Sequence, residues 1–150
     1  MDANPTYFNI YCAFDNEEVG SLTKQGAYGT FLADTLKRIA DSLSLRMEEM
    51  VARSLLVSVD NAHANHPNHP EVSDASTSVL LNEGIVIKYN ANQTYTTDGL
   101  SAALLKNIVK EANIPFQDFT NRSDLRGGST LGNLSNNQIS INSVDIGIAQ

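Results

Sequence analysis

The sequence predicts an α/β fold, a mostly parallel or mixed sheet flanked by helices, and three observations carry that reading. Short apolar runs of strand length recur at Tyr7 to Phe14, Leu55 to Val59 and Ile85 to Ile87. Between them lie segments whose apolar residues repeat at helical spacing. Two of the runs end in acids, at Asp15 to Glu18 and at Asp60, and open α/β sheets collect ligand and catalytic groups at the C-terminal ends of their strands. With 150 residues, 41% hydrophobic and 18% charged, one domain with a real core is expected.

Taken in order, Met1 to Thr6 is a polar lead-in containing Pro5. Tyr7 to Phe14 is nearly continuous in aromatic and aliphatic residues, which suits a strand buried on both faces. From Gly29 to Leu45, Phe31, Leu32, Leu36, Ile39, Ala40 and Leu43 oppose Asp34, Lys37, Arg38 and Asp41, the pattern of an amphipathic helix on a sheet. A second helical piece, Arg46 to Arg53, leads into the buried strand Leu55 to Val59, ending at Asp60. Asn61 to Leu81 reads as a long loop, and loops of that length tend to be functional. Ile85 to Ile87 is the next strand. Thr97 or Asp98 caps a helix running to Ala112, where Asn113 and Pro115 stop it. Phe116 to Thr120 is a short strand, Thr130 to Leu134 a short helix, and Ile139 to Ile148 a last strand.

Ten basic against seventeen acidic residues give a net charge of -7, and no Lys/Arg cluster exceeds Lys37-Arg38. A nucleic-acid or anionic-membrane surface is therefore not expected. No apolar run approaches a membrane span, and the N-terminus lacks a basic-then-apolar signal. Lone Cys12 reads as a small buried residue in a reducing compartment, so the cytoplasm is the expected location.

The chemistry concentrates in Phe14-Asp15-Asn16-Glu17-Glu18-Val19-Gly20-Ser21. Adjacent glutamates at a strand mouth can divide a hydrolytic metal site between them, one binding the cation and the other taking a proton from water. A solvated acidic turn is the plainer alternative. His63, His66 and His69 repeat at a spacing of three, but Pro67 and Pro70 exclude a regular helix, so spacing alone makes no metal signature. Lys88, a cation in an apolar strand, either ends that strand toward solvent or points into a site to meet an acid. The glycine-containing loop from Asn121 to Thr130 could cradle an anion through backbone N–H groups at the start of a short helix, but it lacks both the P-loop lysine and the dinucleotide pattern, and ordinary turn structure is the plainer reading.

The blocks Asp15 to Ser21, Ser58 to Asn68, Ile87 to Tyr95, Asn121 to Asp124, Gly128 to Gly132 and Val144 to Gly147 resemble in order and spacing those of the aspartyl aminopeptidase family of dinuclear-metal exopeptidases. The resemblance implies Glu17 as general acid/base for a metal-bridging water, with Glu18 ligating one metal and Asp60 the other. It implies that His63 and Tyr95 contact the substrate and that Lys88 faces the acidic side chain of the residue removed. The metals would be zinc, with manganese or cobalt possible.

The same resemblance places a bridging carboxylate and one histidine ligand before the first block, another histidine after the last, and an oligomerisation domain upstream. None of these is present between Met1 and Gln150. The expected reading is thus a single-domain, C-terminal part of a metallo-aminopeptidase catalytic domain, with the oligomerisation domain absent. The complete enzyme would act on peptides, preferentially releasing N-terminal Asp or Glu, as a homo-oligomer, while this chain alone would be inactive. A non-catalytic folding or assembly module derived from such an enzyme is the alternative.

Overall fold

The computed structural model describes residues 8–125 and 127–150. Its centre is a mixed four-stranded sheet of β1 (Leu55–Ala62), β2 (Ile85–Tyr89), β3 (Phe116–Thr120) and β4 (Asn142–Ala149), in the order β1-β4-β2-β3. β1 runs parallel to β4 and β2 parallel to β3, while β2 and β4 are antiparallel. The α/β expectation therefore holds in its mixed form. In register, Ser58, Asp145, Lys88 and Phe119 form one row across all four strands. Side chains alternate between the faces of a strand, so this row and the residues two positions away share a face.

Helices α2 (Phe31–Ser42) and α3 (Met47–Ala52) form where the periodicity places them. Leu32, Leu36 and Ala40, four residues apart, are buried with Val51, Ile139 and Ile141. Each buried leucine contributes roughly 1.5–3 kcal/mol. The outer face carries an exposed Lys37–Asp41 pair at 3.0 Å, which contributes only a few tenths of a kcal/mol, about 0.3–0.5. Helix α4 (Gly99–Glu111) packs Leu105 and Val109 against Ile87 and Val144 on the opposite sheet face. It opens on a full capping box, in which Asp98 accepts from the Ser101 N–H at 2.8 Å while the Ser101 hydroxyl accepts from the Asp98 N–H at 3.0 Å. Helix α5 (Leu131–Ile139) is longer than the expected Thr130 to Leu134, its last residue, Ile139, takes the first position of the expected final strand, and that strand begins only at Asn142.

Two strand expectations are corrected. Tyr7 lies outside the described residues, and Phe8 to Phe14 forms no ladder, with Phe8 68% and Tyr11 92% exposed. Only Cys12 and Phe14 reach the core, against the α2 cluster. A continuous apolar run signals apolar surroundings on both sides, but none of the four strands lies beside this one. β1, in turn, is an edge strand, not a buried one: Val59 is 57% exposed, and the strand continues past Asp60 to Ala62.

The long segment after β1 contains one 3-10 turn, Pro70–Val72. It is fastened to β3 by Thr77 and Thr120, whose hydroxyls lie 2.9 Å apart, and by Gln117, which exchanges hydrogen bonds with both backbone groups of Leu80. Arg122 grips Asp124 through two nitrogens and donates from a third to the Glu71 carbonyl. Gly84 starts β2 at φ +97°, where a Cβ would come within 2.0 Å of the Pro115 carbonyl oxygen.

Candidate active site

The acidic stretch folds as a single helical turn, α1 (Glu17–Gly20). Asn16 steadies it by donating to Thr23 Oγ1 at 2.9 Å, and the Ser21 hydroxyl donates to the Glu17 carbonyl at 3.2 Å. This turn brings the Glu17 carboxyl near Glu18 and Asp60. Burial, then the negative charges of Glu18 and Asp60, and a hydrogen bond with Glu18, push the Glu17 carboxyl above its usual range. Glu17 is half-buried and Glu18 exposed. The structure thus brings Asp60 to two glutamates that precede it in the sequence by more than forty positions.

Asp60 projects from β1, where its Oδ1 accepts from the Asn61 N–H at 2.6 Å. Its Oδ2 lies 3.7 Å from the Lys88 amine. Lys88 is 2% exposed and donates to the Asn61 carbonyl at 2.7 Å. Of the two alternatives for this lysine, the structure adopts the inward one, ending on an acid. Burial lowers the Lys88 amine from its usual range, and the charges of Asp60 and then Asp145 oppose that shift. Tyr95 lies under the amine with its ring centre 5.2 Å away, packed on Phe119 at 6.4 Å. Its hydroxyl pKa is raised, chiefly by burial, against a hydrogen bond with Asn121.

Asp60, His63, Lys88 and Tyr95 all line one cavity of about 680 Å³, walled on the far side by the pinned segment and by Asn121 and Arg122. Glu17 and Glu18 are not among its lining residues and join it only through the charge contact with Asp60. His63 is exposed immediately after β1. His66 and His69 are also exposed on the cavity wall, their rings 5.3 Å apart, with His69 Nδ1 3.1 Å from Glu71. A second cavity, about 370 Å³, is lined by amides and hydroxyls around Gln93 and Asn133; its one acid, Asp98, is spent on capping α4.

Zinc in a catalytic site normally takes three protein ligands. Among the described residues no group of three or more His, Cys, Asp or Glu side chains is gathered to hold a metal ion. Glu18 and Asp60 are suitable donors, but these residues do not by themselves complete a zinc centre.

Asp145 is not among the site residues that the sequence motifs single out. It is fully buried in β4, the strand paired directly with Asp60's β1, in the register row of Lys88. The signal was available: an acid between Val144 and Ile146 breaks an apolar strand just as Lys88 does.

A mixed sheet that sets Asp60 and the buried Lys88 beside an open cavity, with Tyr95 from the segment after β2 under the lysine, is an α/β arrangement suited to binding a ligand. The chain belongs to the family described as Aminopeptidase I zinc metalloprotease (M18), which it matches over residues 2–150. It is 46% identical over 142 residues to a probable M18 family aminopeptidase 2 of Clostridium novyi, covering 93% of this chain and 33% of that one. It is 37% identical over 150 residues to a probable aspartyl aminopeptidase of Ricinus communis, covering 98% and 30%. In structure it is similar to the mApe1 dodecamer of S. cerevisiae, with a TM-score of 0.78 and 30% identity, over 91% of this chain and 30% of that one. The chain spans about a third of the length of the curated relatives it matches.

Proposed function

We propose that these residues form the C-terminal part of the catalytic domain of a metal-dependent aminopeptidase that releases N-terminal residues, Asp and Glu in preference. The observation that carries this reading is the gathering of Glu17, Glu18 and Asp60, where burial and then the two neighbouring charges raise the Glu17 carboxyl. A carboxyl shifted up by burial and by its neighbours is suited to accept a proton from water and return it to a leaving amine. Zinc, named in the family description, would supply an activated water and a positive centre for the carbonyl oxygen. Glu18 and Asp60 would be two of its ligands, with further ligands from outside the described residues. His63 and Tyr95 flank the cavity in which a peptide's first residue would sit. Lys88 supplies the only ammonium lining that cavity among the described residues, and an ammonium favours an acidic side chain.

The oligomerisation domain is proposed to lie outside these 150 residues, and the complete enzyme to assemble from several copies. One relative's structure is a dodecamer, which supports that reading. No described helix is long and apolar enough to cross a membrane; a cytoplasmic location is part of the same proposal.

The experiment joins this chain to the part of the Clostridium novyi relative that it does not match and compares turnover of α-aspartyl, α-glutamyl and alanyl amides. Acidic substrates should be preferred, and Lys88→Met should erase the preference while alanyl turnover survives. An acidic preference unchanged by Lys88→Met would remove the selectivity assignment. The 150-residue chain alone, with Zn²⁺, Mn²⁺ or Co²⁺ added, should show no turnover; activity lost on Glu17→Gln would contradict that.

A second reading, a non-catalytic assembly module, is favoured by the exposed edge strand β1 with Val57 and Val59 facing outward. Calorimetric metal titration with light scattering separates the two. Stoichiometric metal uptake supports a residual site, and a metal-indifferent oligomer supports the module.

A further inference from the structure

Asp145 has a hydrogen-bonding pattern that closing a sheet does not require. Its Oδ2 accepts from the Thr96 N–H at 2.6 Å and from the Thr96 hydroxyl at 2.8 Å, and its own N–H donates to the Thr97 hydroxyl at 2.9 Å. Its Oδ1 has no hydrogen-bond partner among the described residues. That oxygen sits against Gly132 in the first turn of α5, so close that a Cβ there would lie 2.5 Å from it. A fully buried carboxylate with one oxygen unpaired is costly, and the apolar residues on either side, Val144 and Ile146, show what β4 uses for packing alone.

All of these bonds converge on Thr96 and Thr97, the two residues that follow Tyr95. The Tyr95 ring is held laterally by Phe119 and lies under the Lys88 amine. Lys88 is itself the register partner of Asp145 on β2. Both halves of the Lys88–Tyr95 contact are therefore referenced to one point of the sheet, the lysine through the ladder and the tyrosine through the carboxylate. Charge-assisted bonds are short and directional, so an aspartate fixes the Thr96 backbone more tightly than a neutral acceptor would.

We infer that Asp145 is a positioning residue that, through Thr96 and Thr97, holds the Tyr95 ring against the Lys88 amine. The functional meaning of this contact rests on the proposed substrate roles of Tyr95 and Lys88; the geometry does not.

The test is NMR on the 150-residue chain. It follows the nuclear Overhauser contact between the Tyr95 ring and the Lys88 ε-methylene, together with hydrogen exchange at the Thr96 amide. In Asp145→Asn, which keeps the shape and removes the charge, Thr96 exchange should quicken about tenfold or more and the Tyr95–Lys88 contact should be lost. Thr96→Val keeps the carboxylate and deletes one donor, so the contact should weaken but remain. Loss of Thr96 protection with the contact at full strength would make Asp145 a fold residue only and overturn the inference. If Asp145→Asn does not fold, Thr96→Val decides: an unchanged contact there overturns it. Failure of the aminopeptidase reading would leave these signals untouched and appear as absent turnover in the extended polypeptide, so the two failures are distinguishable.

Discussion

Lys88 and Asp145 stand opposite one another across β2 and β4, both buried, and each directs its hydrogen bonds elsewhere: Lys88 to the Asn61 carbonyl at 2.7 Å and Asp145 to Thr96 at 2.6 Å. The pair links the two sides of the candidate site. The lysine reaches the end of β1 and Asp60, while the aspartate reaches the segment that carries Tyr95.

Glu17→Gln should stabilise the isolated chain at neutral pH. Burial and the Glu18 and Asp60 charges raise the folded carboxyl's pKa, so the folded state holds this proton more tightly than the unfolded chain does. Stability therefore rises as pH falls through the window between the raised value and the ordinary carboxyl value, and the ionised side chain disfavours the fold above that window. Glutamine carries no charge at any pH. Urea denaturation across this range should show the variant ahead at neutral pH and the gap closing as pH falls; a variant less stable at neutral pH would contradict the crowding.

Gly132→Ala should destabilise by about 1–3 kcal/mol. The new methyl would meet Asp145 Oδ1 at 2.5 Å and Ser58 Cβ at 2.9 Å, while the Gly132 N–H is tied to Ser58 Oγ at 2.9 Å. Alanine's better helix propensity offsets at most about 1 kcal/mol of this. Chemical denaturation decides, and an equally stable variant would mean that α5 sits farther from β4.

Asp98→Ala should cost about 1 kcal/mol by removing the acceptor for the Ser101 N–H at the start of α4. The same denaturation experiment reads it, and no loss would mean that α4 does not depend on its capping box.

Much of this architecture was legible in the sequence because its signals are local. Leu32, Leu36 and Ala40 repeat at helical spacing, Asp98 is one of the two caps expected for α4, and Phe116 to Thr120 reads as a strand with the bounds it has. What did not follow were facts about neighbours. Phe8 to Phe14 carries a strand's composition without a strand beside it, and β1 lies at an edge that no property of Leu55 to Val59 announces. Site residues divide in the same way. The acids, Lys88 and the family resemblance could be read from the chain, but the meeting of Glu17 with Asp60, and of Asp145 with Thr96, is set by strand register and chain crossing.

The most direct measurement is turnover of an α-aspartyl amide by wild type and Glu17→Gln, both in the polypeptide extended to the length of the relatives, with bound metal quantified alongside. A general acid/base at position 17 predicts a fall of about 10²–10⁴-fold with metal content unchanged. A Glu17→Gln variant that keeps wild-type turnover would contradict the assignment of the acidic turn as the catalytic centre.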